Sequence, residues 1–220
     1  MISPSEFQLP DWFHLAAVFF AGGSGAVAAI RRGHDVVGVA FLSLVSGLGG
    51  ALVRDVILQR GPPAIFMDGR YVLSVAGACL AAYAGGHRWT RLAPVLSIPD
   101  ALGLAAYAVI GAQLALQTGF SLSAAVVVGT VNAVGGGLIR DILVREEPLM
   151  FRPGQFYALA AVAGSTAYLL LHRYAGLGGG LSGTLAVVLA FALRVLAVRY
   201  DWKTRSVTLP EGTERGSIGD

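Results

Sequence analysis

The chain has 220 residues, 55% of them hydrophobic and 13% charged, with a mean hydropathy of +0.67. A soluble globular domain carries about 25% charged residues, so this composition excludes an ordinary water-soluble fold and points to lipid as the solvent. The net charge of +3 comes from clustered residues rather than one basic face, which excludes a nucleic-acid partner, and the single cysteine, Cys79, excludes an internal disulfide and reads as a small packing residue.

In chain order, residues 1–11 form an N-terminal segment with Glu6 and Asp11 but no Lys or Arg. It lacks the basic start of a cleaved signal peptide, so the first apolar stretch is expected to be retained. Uncharged runs then extend from Trp12 to Ile30, Val36 to Val53, Tyr71 to Gly86, Ala101 to Ile139, Pro153 to Leu171 and Tyr174 to Leu193. A spanning helix needs about 20 apolar residues. The run from Ala101 is long enough for two spans that turn at Gln117-Thr118-Gly119, giving seven helices over 12–31, 35–59, 70–86, 99–117, 121–145, 154–172 and 178–199. Small-residue faces mark helix packing at Ala17, Ala21 and Gly25 on the first helix and at Gly77, Ala81 and Gly85 on the third.

With the N-terminus outside, Arg31, Arg32, Arg88, Arg91, Arg145, Arg152, Arg199, Lys203, Arg205 and Arg215 all fall on the cytoplasmic side. The external loops keep Arg60, Arg70 and Arg173. This asymmetry predicts a multi-pass protein of a bacterial inner membrane, N-terminus out and C-terminus in, with a polar cytoplasmic tail over 200–220.

The sequence is internally repeated. An offset of 86 residues lays Gly49-Gly50-Ala51-Leu52-Val53-Arg54-Asp55 on Gly135-Gly136-Gly137-Leu138-Ile139-Arg140-Asp141 (135 − 49 = 86). The same offset lays Gly25 on Gly111, Gly33 on Gly119, Pro62 on Pro148 and Tyr71 on Tyr157. The expected organisation is a three-helix repeat over 12–86, a cytoplasmic connector over 87–98, a second repeat over 99–172, and a separate seventh helix over 178–199. Three crossings are odd, so the second repeat enters from the opposite face and the two are inverted.

The duplicated motif sits on the long second and fifth helices. Glycine costs about 1 kcal/mol relative to alanine inside a helix, so Gly49, Gly50, Gly135, Gly136 and Gly137 are expected to break or hinge these helices. Breaks in hydrocarbon survive only where buried in protein or lining a wet cavity, and paired breaks in inverted halves mark a permeation or binding site. The competing reading is close helix crossing. Arg54, Asp55, Arg140 and Asp141 either end the span or face a cavity; since neighbours on a helix do not face each other, each arginine is expected to seek a partner elsewhere, in its own half of the membrane. Ser43, Ser46, Thr130 and Asn132 precede the breaks, with Ser46 aligned on Asn132, and either hydrate an ion or bond to backbone carbonyls. Neither a metal-ligand spacing among His14, His34, His87 and His172, nor a nucleophile–base pair, nor a phosphate loop is present, so no enzyme and no cofactor is expected.

The doubled G-G-x-L-x-R-D pattern in a three-plus-three-plus-one helix arrangement resembles the prokaryotic trimeric intracellular cation channels, a family overlapping with bacterial tandem glycine-transporter-type proteins. The resemblance covers residues 12 to 199. It implies an all-α membrane protein forming a homotrimer in lipid, with an hourglass pore in each subunit lined by kinked helices two and five. That pore would conduct monovalent cations, potassium above all and possibly sodium, past the glycine hinges, by ligands the pattern does not specify. Ala51 replaces the third glycine in the first repeat, and the lysine-rich lipid motif of animal members is absent. The alternative is a secondary transporter of a small solute such as glycine.

Overall fold

The computed structural model describes residues 10–91, 97–152 and 156–202. Most of the N-terminal segment, the middle of the connector (92–96) and the tail from 203 lie outside the described residues. What is described is helical: α1 (Asp11–Arg31), α2 (Val36–Leu58), the single turn α3 (Ala64–Met67), α4 (Arg70–Arg91), α5 (Ser97–Gln117), α6 (Leu122–Leu143), α7 (Tyr157–Arg173) and α8 (Gly179–Arg199). The seven long helices fall on the seven expected spans, though α4 continues past the expected end at 86 to Arg91 and α7 starts at Tyr157 rather than at 154. Among the described residues, α1, α2, α5, α6 and α8 are each long and apolar enough to cross a membrane.

The repeat is visible in the local chemistry that starts and stops the helices. Asp35 caps α2 by accepting from the Gly38 N–H at 2.8 Å, and Ser121, 86 residues on, caps α6 by accepting from the Ala124 N–H at 3.3 Å. Each cap supplies an acceptor to a first-turn amide that would otherwise have none. The preceding turns place Gly33 at φ +72° and Gly119 at φ +89°, a region glycine enters without steric cost. The far ends also match, with Gln59 at φ 51° and Arg145 at φ 57°.

Packing follows the same repeat. Gly25 presses against the Leu42 carbonyl and Ser46, while Gly111 meets Asn132 and Gly129, so α1 lies on α2 as α5 lies on α6. The interior is centred on α5, where Ala105, Ala108, Val109, Ile110 and Ala112 are wholly buried. Outside the repeats, α8 rests on α5 and α7, with Ala190 filling the space opposite Gly164. Val36, Val37, Phe41, Leu73, Leu80 and Val188 point outward, as residues in contact with lipid tails do.

Two sequence expectations change. On α4 the packed residues are Val75, Ala78 and Ala82, whereas Ala81 faces outward and Gly77 only touches the Phe19 ring. The helix turns every 3.6 residues, and the third-helix stripe was read one face off. More consequentially, α2 and α6 are not broken. Each runs as an uninterrupted α-helix through its glycines, over 23 and 22 residues respectively. The glycines lie where these two helices cross.

Candidate functional site: a polar path through the helix crossing

At the centre α2 meets α6 backbone to backbone. A Cβ at Gly50 would collide with the Asn132 carbonyl oxygen, and one at Gly136 with the Ser46 carbonyl oxygen. These contacts are reciprocal under the 86-residue offset, as an isologous twofold requires. Gly135 lies against the Gly50 Cα and Gly49 against the Gly136 Cα, at 3.1 and 3.5 Å from the added carbons. Gly137 instead leaves room for the Tyr157 hydroxyl, 2.7 Å from where its Cβ would stand. Neighbouring glycines bare adjoining sides of a single helical turn, which lets two main chains touch there.

The polar residues ahead of the crossing serve the backbone. Ser46 Oγ donates to the Ala21 carbonyl at 2.8 Å, and Asn132 Nδ2 donates to the Tyr107 carbonyl at 2.6 Å. Residues 21 and 107 are again 86 apart, so the aligned Ser46 and Asn132 make the same inter-helix bond. Thr130 donates to Val126 of its own helix at 2.8 Å. Ser43 is buried beside Gly22, its Oγ without a partner among the described residues.

Arg54, Asp55, Arg140 and Asp141 are all buried, near the C-terminal ends of α2 and α6. The expectation about their partners is corrected in part. Arg54 folds back on its neighbour, with Nε and Nη2 at 2.8 and 2.6 Å from Asp55 Oδ1. Arg140 does the same to Asp141, both contacts at 2.8 Å. The helix surface separates adjacent Cβ atoms, but an arginine stem is long enough to curl across that gap. Arg140 also reaches other helices in its own half, donating through Nη1 to Ser24 Oγ at 2.8 Å and to Asp100 Oδ1 at 3.1 Å. Asp141 Oδ2 accepts from the Leu149 N–H at 3.1 Å, tying the loop after α6 to the motif.

Three spaces lie in series along these residues. A cavity of about 570 Å³ lies beside Ser24, Asp100, Arg140 and Asp141, with Arg32, Glu146 and Arg152 at its mouth. A central space of about 10 Å³ is bounded by Ser24, Ser46, Asp100, Tyr107, Gly136 and Tyr157. Beyond it a space of about 20 Å³ is bounded by His14, Leu48, Arg54, Asp55, Tyr71 and Tyr107. Ser24 and Asp100 belong to both of the first two, and Tyr107 to both of the last two. Tyr107, whose hydroxyl donates to the Gly47 carbonyl, therefore stands between these two spaces.

Sequence reading missed His14, Ser24, Asp100, Tyr107 and Arg194, and noted Tyr71 and Tyr157 only as matched positions. His14 and Asp100 were legible in principle, because 14 + 86 = 100 places them at one repeat position. Arg194 lies outside the repeat, buried on α8 with its guanidinium 4.8 Å from the Tyr157 ring centre.

At the mouth of the large cavity Glu146 bridges two arginines, accepting from Arg32 Nε at 3.1 Å and lying 3.6 Å from Arg152. The Arg32 hydrogen bond, together with the charges of Arg32 and Arg152, holds its carboxyl below the ordinary 4.5 against the opposing effect of burial. The strap's contribution is thus present above the unfolded value and lost as pH falls through the lowered folded one. Glu146→Gln should flatten the stability–pH curve of the purified protein below about pH 5, with a change of under about 1 kcal/mol at neutral pH because the pair is exposed. Thermal unfolding of the two proteins from pH 7 to pH 3 checks this; superimposable curves would refute it.

The chain matches the family described as Glycine transporter twice, over residues 11–87 and 97–173. It is 37% identical to a protein of Deinococcus radiodurans named UPF0126 membrane protein, over 73% of this chain and 75% of that one. Its fold superposes on the protein of "Structural basis for conductance through TRIC cation channels" with a TM-score of 0.82 at 30% identity, covering 93% of this chain and all of that one. It also superposes on the TRIC trimeric intracellular cation channel orthologue from Rhodobacter sphaeroides with a TM-score of 0.81 at 30% identity, over 86% and 96% of the two chains.

Proposed function

The chain belongs to the glycine-transporter family of tandem membrane domains, its solved relatives are cation channels rather than enzymes, and we propose that it is itself a cation channel. The carrying observation is the series of three spaces, each bordered by buried polar or charged side chains, that runs from one Arg–Asp motif to the other past the α2–α6 crossing. Ionisable side chains buried in a spanning bundle are costly and mark ion or substrate paths, and here two such sets face spaces on either side of Tyr107. The ion is monovalent, potassium foremost and sodium second, and it passes the glycine crossing through a pore contained in one subunit. Residues 12–86 and 99–172 form the two inverted halves of that pore, and the seventh span, 178–199, braces the second half. Three copies assemble in the lipid of a bacterial inner membrane, with the N-terminus outside. The large cavity at Arg140 then opens to the cytoplasm, because Arg31 and Arg32 flank it.

Conduction requires Tyr107 to leave the Gly47 carbonyl, so the arrangement described is a closed one. Purified protein in planar bilayers should give unitary potassium currents whose reversal potential follows the potassium gradient. Silence at all voltages, with uptake into potassium-loaded liposomes also absent, would refute the channel.

One observation favours a second reading. The two vestibules are unequal, about 570 Å³ against about 20 Å³, as in a carrier open to one side at a time. A secondary transporter of a small solute such as glycine would show saturable, gradient-coupled uptake in liposomes and no unitary currents.

A further inference from the structure

The two vestibules are built from the same four repeat positions, and one of the four has been exchanged. In the second repeat Asp100, Arg140, Asp141 and Tyr157 stand together; in the first, His14, Arg54, Asp55 and Tyr71 line one space. Tyrosine matches tyrosine and the Arg–Asp pair matches its copy, but histidine stands where the other half has a carboxylate. The consequence lies in how the carboxylates are used. Asp55 is held by Arg54, and Asp141 by Arg140 and the Leu149 amide. Asp100 is engaged on one side only: Oδ1 accepts from Arg140 at 3.1 Å and from the Tyr157 hydroxyl at 3.4 Å. Its Oδ2 is buried, in a residue 9% exposed, and has no partner among the described residues.

A buried acceptor left unmade costs about 1–3 kcal/mol, and more when charged, and a cation reaching this oxygen would remove that cost. Asp100 borders both the large cavity and the central space, and the Ser24 and Ser46 hydroxyls line the central space with it. Carboxylate and hydroxyl oxygens are hard donors that suit an alkali cation. The cavity is lined by five arginines (Arg31, Arg32, Arg140, Arg152 and Arg194) against three carboxylates (Asp100, Asp141 and Glu146), so a positive guest at Asp100 is not held by surplus negative charge. The guest should therefore be monovalent and weakly held, as a passing ion must be.

We propose that Asp100 is a cation-binding residue at the narrow end of the Arg140 vestibule, with Oδ2 as ligand for one monovalent cation, and that the first repeat lacks this site because His14 occupies the equivalent position. This rests on the cation-channel reading. The site polarises the path: an ion entering from the large cavity meets a carboxylate, and one entering from the small space meets an imidazole.

The test has two arms. Wild-type crystals grown in thallium(I) should carry anomalous density beside Asp100 Oδ2 and none beside His14. Absence of density at Asp100, or equal density at both, overturns the inference whether or not the protein conducts and whether or not any variant folds. In planar bilayers, Asp100→Asn should lower potassium conductance at low salt by about tenfold, the scale on which a cleft charge concentrates counter-ions, and approach wild type at high salt. Asp100→Glu should retain most of the wild-type current, and size-exclusion profiles confirm that each variant is folded. Unchanged conductance of a folded Asp100→Asn at low salt overturns the inference while leaving the channel standing. A silent wild type instead refutes the channel, and the thallium arm still decides the site.

Discussion

Replacing Arg140 by methionine should destabilise the protein by about 3–5 kcal/mol, the cost of removing one partner from a buried ion cluster. The arginine is 5% exposed and serves two carboxylates at once, Asp141 at 2.8 Å and Asp100 at 3.1 Å. Without it Asp141 keeps one amide donor, from Leu149, and Asp100 keeps only the long Tyr157 contact of 3.4 Å. Two buried negative charges then remain without that cationic partner. Arg54→Met should cost less, because one aspartate instead of two loses its guanidinium. Adding Asp100→Asn to Arg140→Met should recover part of the loss, since the uncompensated charge goes with it, and the departure from additivity measures the coupling. Thermal unfolding in detergent of the two single variants and the double one reads all three values. Equal losses for Arg54→Met and Arg140→Met, or a double variant that is the sum of its parts, would show that the cluster is not one unit.

The sequence carried the seven spans and the duplication because both follow from the dimension of the bilayer and from residue identity alone. Hydrophobic runs of the right length, and glycines and caps recurring at a fixed offset, need no knowledge of what packs against them. The helix starts at Asp35 and Ser121 could also have been read, being N-cap residue types at one repeat position. What could not be read was which neighbour a residue would meet. Gly50 and Gly136 look the same on paper whether they open a helix or admit a second backbone, and the contact with Asn132 and Ser46 appears only in the fold. Arg54 and Arg140 were judged by Cβ direction, which ignores a stem long enough to return to the adjacent aspartate. Asp100 escaped because it sits in the first turn of α5, where a carboxylate resembles a helix-end charge. Its burial comes from Arg140 and Tyr157, 40 and 57 residues away.

The crossing itself supplies the last and sharpest expectation. Alanine at Gly50 or at Gly136 places a methyl on a backbone carbonyl oxygen, of Asn132 in one case and Ser46 in the other. No rotamer relieves that overlap, since the obstacle is main chain on both sides, so the two helices must separate. Overpacking of this kind costs about 1–3 kcal/mol and more where nothing can yield, and valine at either place should prevent assembly of the native bundle. The twofold relation between the contacts makes a stricter demand: Gly50→Ala and Gly136→Ala should lose nearly equal stability. Gly23→Ala, where an added carbon meets nothing within 4 Å, should be neutral or slightly stabilising, because alanine is the better helix former by about 1 kcal/mol. A hinge predicts the reverse order. If Gly50 and Gly136 served by bending, alanine would stiffen the helices and raise thermal stability there while altering current through the channel. Unfolding midpoints of the three alanine variants therefore separate a crossing from a hinge without any recording, and a stabilised Gly136→Ala would overturn the crossing.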